Sequence, residues 1–186
     1  MPSARISCFV DTNILIYPRD ARAPLKRAAA NWWILALAAA DALVISPQVV
    51  NEYCNVILRK YPQTASNDLE VAVARMREWC RAETTYANAL GALELKRTML
   101  VSYYGAVLLS SAAKHVPKQL YDFFDKNMLL CFGGASSYRS DGIVRSEHAL
   151  ARCSHFLSED LQHDRLIGQM RVLNPFLVSP ETVLAA

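Results

Sequence analysis

The 186-residue chain has no apolar run of the roughly 18 residues that a membrane-spanning helix needs. Its densest apolar stretch, AAANWWILALAAADALVI, is broken by Asn31 and Asp41 and reads as a buried helix running into a strand. The opening MPSARISCFVDTN has too short an apolar segment for a secretory signal, so a cytoplasmic location without a membrane partner is expected. No CxxC spacing links Cys8, Cys54, Cys80, Cys131 and Cys153. An odd set of cysteines in apolar surroundings implies reduced, buried thiols and argues against a disulfide framework or a zinc site. The histidines (His115, His148, His155 and His163) show no ligand spacing with one another. A net charge of +3 without a long run of one sign excludes a charged tail. It permits a nucleic-acid partner without requiring one. There is no fixed-period repeat and no low-complexity tract.

What is present is apolar: 53% of the residues are hydrophobic and 20% charged, enough to build the core of one domain. Residues 7–10 read as a strand, 25–40 as an alanine-rich helix and 42–45 as a second short strand. Pro47 opens a helix reaching Lys60, with Val49, Val50, Tyr53, Val56 and Ile57 at helical spacing. Further helices are expected from Ser66 or Asn67 to Trp79, and over 87–97, 102–115 and 141–152. Strands are expected at 154–157 and 170–173. Strands alternating with helices indicate an α/β fold with a mostly parallel sheet.

In such sheets ligands collect beyond the carboxyl ends of the strands. Asp11 ends the first strand, Glu52 lies about one turn into the helix after the second, and Asp160 follows the strand at SHFL. Three acids are therefore expected along one edge. Grouped carboxylates repel, and one keeps its proton unless a cation intervenes. Hard oxygen ligands without cysteine or histidine suit Mg²⁺ or Mn²⁺. Each acid also has an ordinary reading. Asp11 could cap a helix starting near Asn13, and Asp141 could cap its own helix. Glu52 could be a solvated helix residue and Asp160 a turn residue. The acids together, each at a strand end or helix start, are harder to assign to coincidence.

The segments FVDTNILIY, ISPQVVNEYCNVI, CSHFLSEDLQH and RVLNPF resemble, in that order, the motifs of PIN-domain ribonucleases, and among them the VapC toxins of bacterial toxin–antitoxin pairs. The likeness covers nearly the whole chain outside residues 106–140. It implies a PIN-like three-layer α/β fold, with a mostly parallel central sheet between helices. Residues 1–186 would form a single domain with an insertion at about 106–140. It also implies RNA cleavage dependent on Mg²⁺ or Mn²⁺ and carried by four acids. Matched residue by residue, these include Asp11 in DTN, Glu52 in the helix after SPQ and Asp160 in SED. Thr12, Asn13 and Ser158 match positions that support the acids by hydrogen bonds.

For the remaining acid the family pattern is a Ser-Tyr-Trp-Asp-like helix start. VSYYGAVLLSSAA fits it but places Gly105 where the acid belongs. SYRSDGIVRSEHALARCSHFLSED supplies Asp141, 19 residues before Asp160, against 55 for Gly105. An insertion accounts for both, and Asp141 is the expected acid. Should residues 102–113 pack with the core instead, the site lacks one acid. Asp164 is a second departure, standing where a glycine is more typical.

On this resemblance Asp11 and Asp141 bind the cation directly, Asp160 directly or through water, and Glu52 orients or deprotonates the attacking water. Arg19, Arg22, Lys26 and Arg27 form a candidate RNA-contacting patch, with Arg139 and Arg145 beside Asp141. Tyr17 or Tyr138 offers a stacking surface for single-stranded RNA. Trp32 and Trp33 read as core or interface. The apolar stripe within residues 25–40 is a candidate surface for a cognate antitoxin and for a homodimer. Two alternatives stay open: a catalytically impaired PIN-like binding module whose site the insertion disrupts, and a DNA-directed nuclease of the same fold.

Overall fold

Cys8, Phe9 and Val10 are apolar at successive positions, the pattern of a strand covered on both faces. They form β1 (Cys8–Val10), and all three are buried. The computed structural model describes residues 6–64, 66–113 and 153–185. Within them β1 joins β2 (Leu43–Val44), β3 (His155–Leu157), β4 (Leu166–Ile167) and β5 (Met170–Leu173) in one sheet of order β2-β1-β3-β5-β4. The pairings of β1 with β2 and β3, and of β3 with β5, are parallel. β4 runs antiparallel to β5. Val10 pairs with Leu157, so β1 and β3 end level with each other. Asp11 and Ser158 therefore leave the sheet at the same edge.

Seven α-helices accompany the strands among the described residues. α1 (Thr12–Ile16) follows β1 and continues into a 3-10 turn at Tyr17–Arg19. α2 (Pro24–Ala39) and α3 (Pro47–Lys60) each open on a proline, whose missing N–H lies among groups that have no helical partner anyway. α4 (Ser66–Met76), α5 (Tyr86–Thr98), α6 (Tyr103–Ala113) and α7 (Glu181–Leu184) complete the set. α4 stops short of Trp79 because the chain turns there to bond the sheet side. The Ile45 N–H donates to Trp79 O at 2.8 Å, and Ile45 bridges Cys80.

The core gathers side chains from the sheet and from α2, α3 and α6. Phe9 and Phe156 stack with centroids 5.3 Å apart and rings nearly parallel. Trp33 is wholly buried and its indole Nε1 donates to Pro175 O at 3.0 Å and Val178 O at 3.2 Å. That contact ties α2 to the chain beyond β5, and an aromatic with a satisfied polar edge suits such a position. Cys8 and Cys153 are buried, and burial pushes both thiols up to about 12, which keeps them protonated and inert.

α6 resolves one choice that the sequence leaves open. Ala106 through Ala112 are buried without interruption, so this helix belongs to the body of the fold. Residues 106–113, expected at the start of an inserted segment, are its core-facing part. The Cys153 N–H donates to Ala112 O at 3.2 Å, joining the end of α6 to the approach of β3. Asp141, with Arg139, Arg145, Tyr138, His115, His148 and Cys131, lies outside the described residues. Asp164 has a left-handed backbone with φ of 64°, the conformation a glycine adopts without cost. Its carboxylate meets Arg171 Nη1 at 2.5 Å. No helix among the described residues is long and apolar enough to cross a membrane.

Candidate active site

Asp11 occupies the N-cap position of α1 with extended backbone, yet its side chain makes no capping hydrogen bond. Instead the buried Ser158 hydroxyl donates to Asp11 Oδ2 at 2.7 Å. The ordinary capping explanation for this carboxylate therefore fails. Ser158 Oγ also accepts the Asp160 N–H at 3.2 Å, which turns the chain after β3 back toward β1. Thr12 Oγ1 donates to Glu52 Oε2 at 2.8 Å, and Gln48 Nε2, one turn earlier on α3, donates to Glu52 Oε1 at 2.9 Å. Asn13 Nδ2 donates to Asp160 Oδ2 at 2.8 Å. The DTN triplet thus reaches all three acids at once: it supplies the first, and its next two residues hold the second and third.

These groups open into a cavity of about 600 Å³. Its lining includes Asp11, Glu52 and Asp160, further residues of α3, and the start of α6 with Tyr104 and Gly105; among the described residues it contains no lysine or arginine. Burial is the main reason the Asp11 carboxyl is pushed up from 3.8 to about 6. The negative charges of Asp160 and Glu52 raise it further, while the hydrogen bond from Ser158 works the other way. A cluster of carboxylates with no lysine or arginine beside it among the described residues is the electrostatic situation that a dication relieves.

Among the described residues no three His, Cys, Asp or Glu side chains are gathered tightly enough to form a complete metal cage. Mg²⁺ does not need one, because it keeps several waters and takes one or two carboxylates with substrate oxygens. Asp11 and Asp160 supply such a pair, and their oxygen-only chemistry fits a hard cation. Glu52 already accepts on both of its oxygens, which suits a positioned acceptor better than a ligand.

The PIN domain family model matches residues 8–123. The chain belongs to the PIN domain family. PIN domains are generally nucleases, and a hydrolase of nucleic acid is the broad activity that membership supports. The match takes in β1, α3 and α6, and so Asp11, Glu52 and Gly105; Asp160 lies beyond it. No curated protein matches the chain. In this PIN domain Gly105 lines the cavity in the first turn of α6, where the resemblance expects an acid.

The basic patch expected after DTN is largely spent on internal contacts. Arg22 pairs with Asp20 at 2.9 Å, and Arg19 Nε donates to Tyr53 OH at 3.0 Å. Lys26 forms an ion pair with Glu159 and also donates to Tyr17 OH at 3.1 Å. Tyr17 OH donates to Glu159 Oε1 as well. The Lys26 ammonium stands 4.9 Å from the centroid of the Tyr17 ring and 5.2 Å from that of Phe176. Tyr17 in turn packs edge-on against Phe176 at 5.3 Å. Tyr17 is therefore a structural ring rather than an open stacking surface. Arg27 is exposed and has no ion-pair partner among the described residues.

This cluster escaped the sequence reading. Glu159 lies between Ser158 and Asp160, and a carboxylate flanked by two site residues points away from the cavity. It anchors the SED loop to α2 through Lys26 and to the 3-10 turn through Tyr17.

Proposed function

We propose that this PIN domain is a Mg²⁺- or Mn²⁺-dependent endoribonuclease, the toxin component of a type II toxin–antitoxin pair acting in the cytoplasm. The observation that carries the reading is the threefold reach of DTN. Acids from three distant parts of the chain are each fixed by a hydroxyl or amide donor at the rim of one cavity. The reading includes the family's three-layer arrangement, a sheet between helices.

Asp11 and Asp160 would hold the metal, with Asp141 as the further carboxylate that the proposal includes. A bound ion supplies Lewis acidity there, lowering the pKa of water and neutralising charge on the phosphate oxygens. Glu52, held by Thr12 and Gln48, is oriented to accept a proton from the attacking water. Ser158 and Asn13 keep the Asp11 and Asp160 carboxylates from turning away. Attack of water on phosphorus breaks the bond to the 3′ oxygen and leaves a 5′-phosphate and a 3′-hydroxyl.

α2 offers the surface for protein partners. It buries Ala30, Trp33 and Leu37 but exposes Leu25, Trp32 and Leu35. An apolar stripe of that kind supports a cognate antitoxin segment and a second copy as its occupants.

One observation favours a second reading. Gly105 in the cavity leaves the described site one acid short, as in an impaired PIN-like binding module. Labelled single-stranded RNA and DNA, incubated with Mg²⁺, Mn²⁺ or EDTA, separate the readings. The ribonuclease reading expects metal-dependent cleavage of RNA that Asp11→Asn abolishes while folding is intact. Equal cleavage by both proteins, or none by the wild type, supports the binding module; preferential DNA cleavage supports the DNA-directed alternative.

A further inference from the structure

The cavity has a second wall that the acids do not explain. On α3, Gln48, Asn51, Glu52 and Asn55 all line it, at the three- and four-residue spacing that places side chains on one helix face. Gln48 is committed to Glu52. Asn51 and Asn55 are exposed to the cavity, and their amides have no hydrogen-bond partner among the described residues. Tyr104 of α6 lines the same space with 63% of its surface exposed. Leu100, Val56 and Leu108 add an apolar lining.

A phosphate gains little from such a wall, which offers no cation among the described residues. A nucleobase gains a great deal. Each asparagine amide carries both donors and an acceptor, the complement of a base edge. The tyrosine ring offers a surface on which any base stacks. A volume of about 600 Å³ is in the range of sites that take small organic groups.

We infer that Asn51, Asn55 and Tyr104 form a nucleobase subsite, which takes an unpaired base of single-stranded RNA beside the acidic edge where the phosphate would be cleaved. Tyr104 supplies stacking and the two amides read the base edge. Sequence preference in cleavage then arises on α3 and α6 rather than from the basic residues after DTN. The inference rests on the ribonuclease reading for its substrate, while its binding prediction stands apart from catalysis.

The test uses the full-length chain and four fluorescein-labelled decamers of rA, rC, rG and rU. Binding is read by fluorescence anisotropy in EDTA, and cleavage of a mixed-sequence RNA is read separately with Mn²⁺. The wild type binds the four decamers with unequal affinity. Tyr104→Ala weakens binding of all four about 10-fold, and Tyr104→Phe restores it to within about 3-fold. Asn51→Ala with Asn55→Ala brings the four affinities together, removing about 10-fold of discrimination. In the cleavage assay these variants raise KM more than they lower kcat, and the amide variant evens out the cleaved sequences. Tyr86→Ala, which removes an exposed tyrosine outside the cavity, changes neither readout.

Base-discriminating binding that depends on Tyr104 but comes without cleavage overturns the ribonuclease reading and leaves the subsite standing. Absence of wild-type binding, or binding indifferent to the three cavity substitutions, overturns the subsite whatever the cleavage assay returns.

Discussion

Asp11→Asn should stabilise the metal-free protein at neutral pH. The wild-type carboxyl is raised from 3.8 to about 6 in the folded state, chiefly by burial and then by the charges of Asp160 and Glu52. Above pH 6 the folded protein must hold an ionised group that the unfolded chain ionises more easily. At 1.36 kcal/mol per pKa unit, the penalty is at most about 3 kcal/mol. Asp11 is half-buried in the lining of an open cavity, so solvent screens part of the charge, and asparagine turns one acceptor into a donor beside the Ser158 hydroxyl. A net gain of about 1–2 kcal/mol at pH 7 is expected.

The sign follows from proton counts. Between pH 4 and 6 the folded state binds more protons at this site than the unfolded state. Wild-type stability therefore falls as pH rises through that window and levels off above it, and the variant lacks this component. Urea unfolding in EDTA at pH 4, 5.5 and 7 reads the difference. A gain growing with pH supports the electrostatic picture. A variant equal to or weaker than wild type at pH 7 refutes it.

Three further expectations follow from the same contacts. Glu159→Gln removes the ion pair with Lys26 and should lower stability by about 1 kcal/mol in urea, less in high salt, since the ammonium is partly solvated; no loss, or a loss independent of salt, contradicts the clamp. Trp33→Phe leaves the carbonyls of Pro175 and Val178 without their indole donor and opens a void in the core, for about 2–4 kcal/mol by urea unfolding. Gly105→Asp should tighten Mn²⁺ binding about 10-fold by calorimetry, because it places a carboxylate in the lining of the acidic cavity. Its Cβ would meet Ser102 Oγ at 3.1 Å, a contact that a small hydroxyl shift relieves, so the variant should remain folded by circular dichroism.

Much of this arrangement was legible because it rests on local chemistry. Pro47 and the apolar stripe from Val49 to Ile57 define α3 at the ends observed, Pro47–Lys60. A continuous apolar triplet marks β1, Phe156-Leu157 marks the buried part of β3, and acids that end apolar strands point to the edge where they meet. The way DTN divides its contacts was not legible, since it depends on the level ends of β1 and β3. The Lys26–Glu159 pair was not legible either, because it joins residues 133 positions apart. Two of the cations after DTN hide their partners for the same reason: Arg19 meets Tyr53 and Lys26 meets Glu159, both far along the chain. The segment at 102–113 opens on Ser102-Tyr103, the one at 141–152 follows Ser137-Tyr138, both look helical in sequence, and only burial shows that the first belongs to the core. β4 has two residues and, unlike the equally short but buried β2, lies exposed at the sheet edge, so no apolar run marks it.

The claim on which the rest depends is that Asp11 and Asp160 share a dication. Isothermal titration of Mn²⁺ into the wild type, Asp11→Asn and Asp160→Asn tests it directly. The account predicts saturable uptake by the wild type that either substitution weakens at least about 10-fold. No uptake by the wild type, or uptake that both variants retain in full, contradicts it.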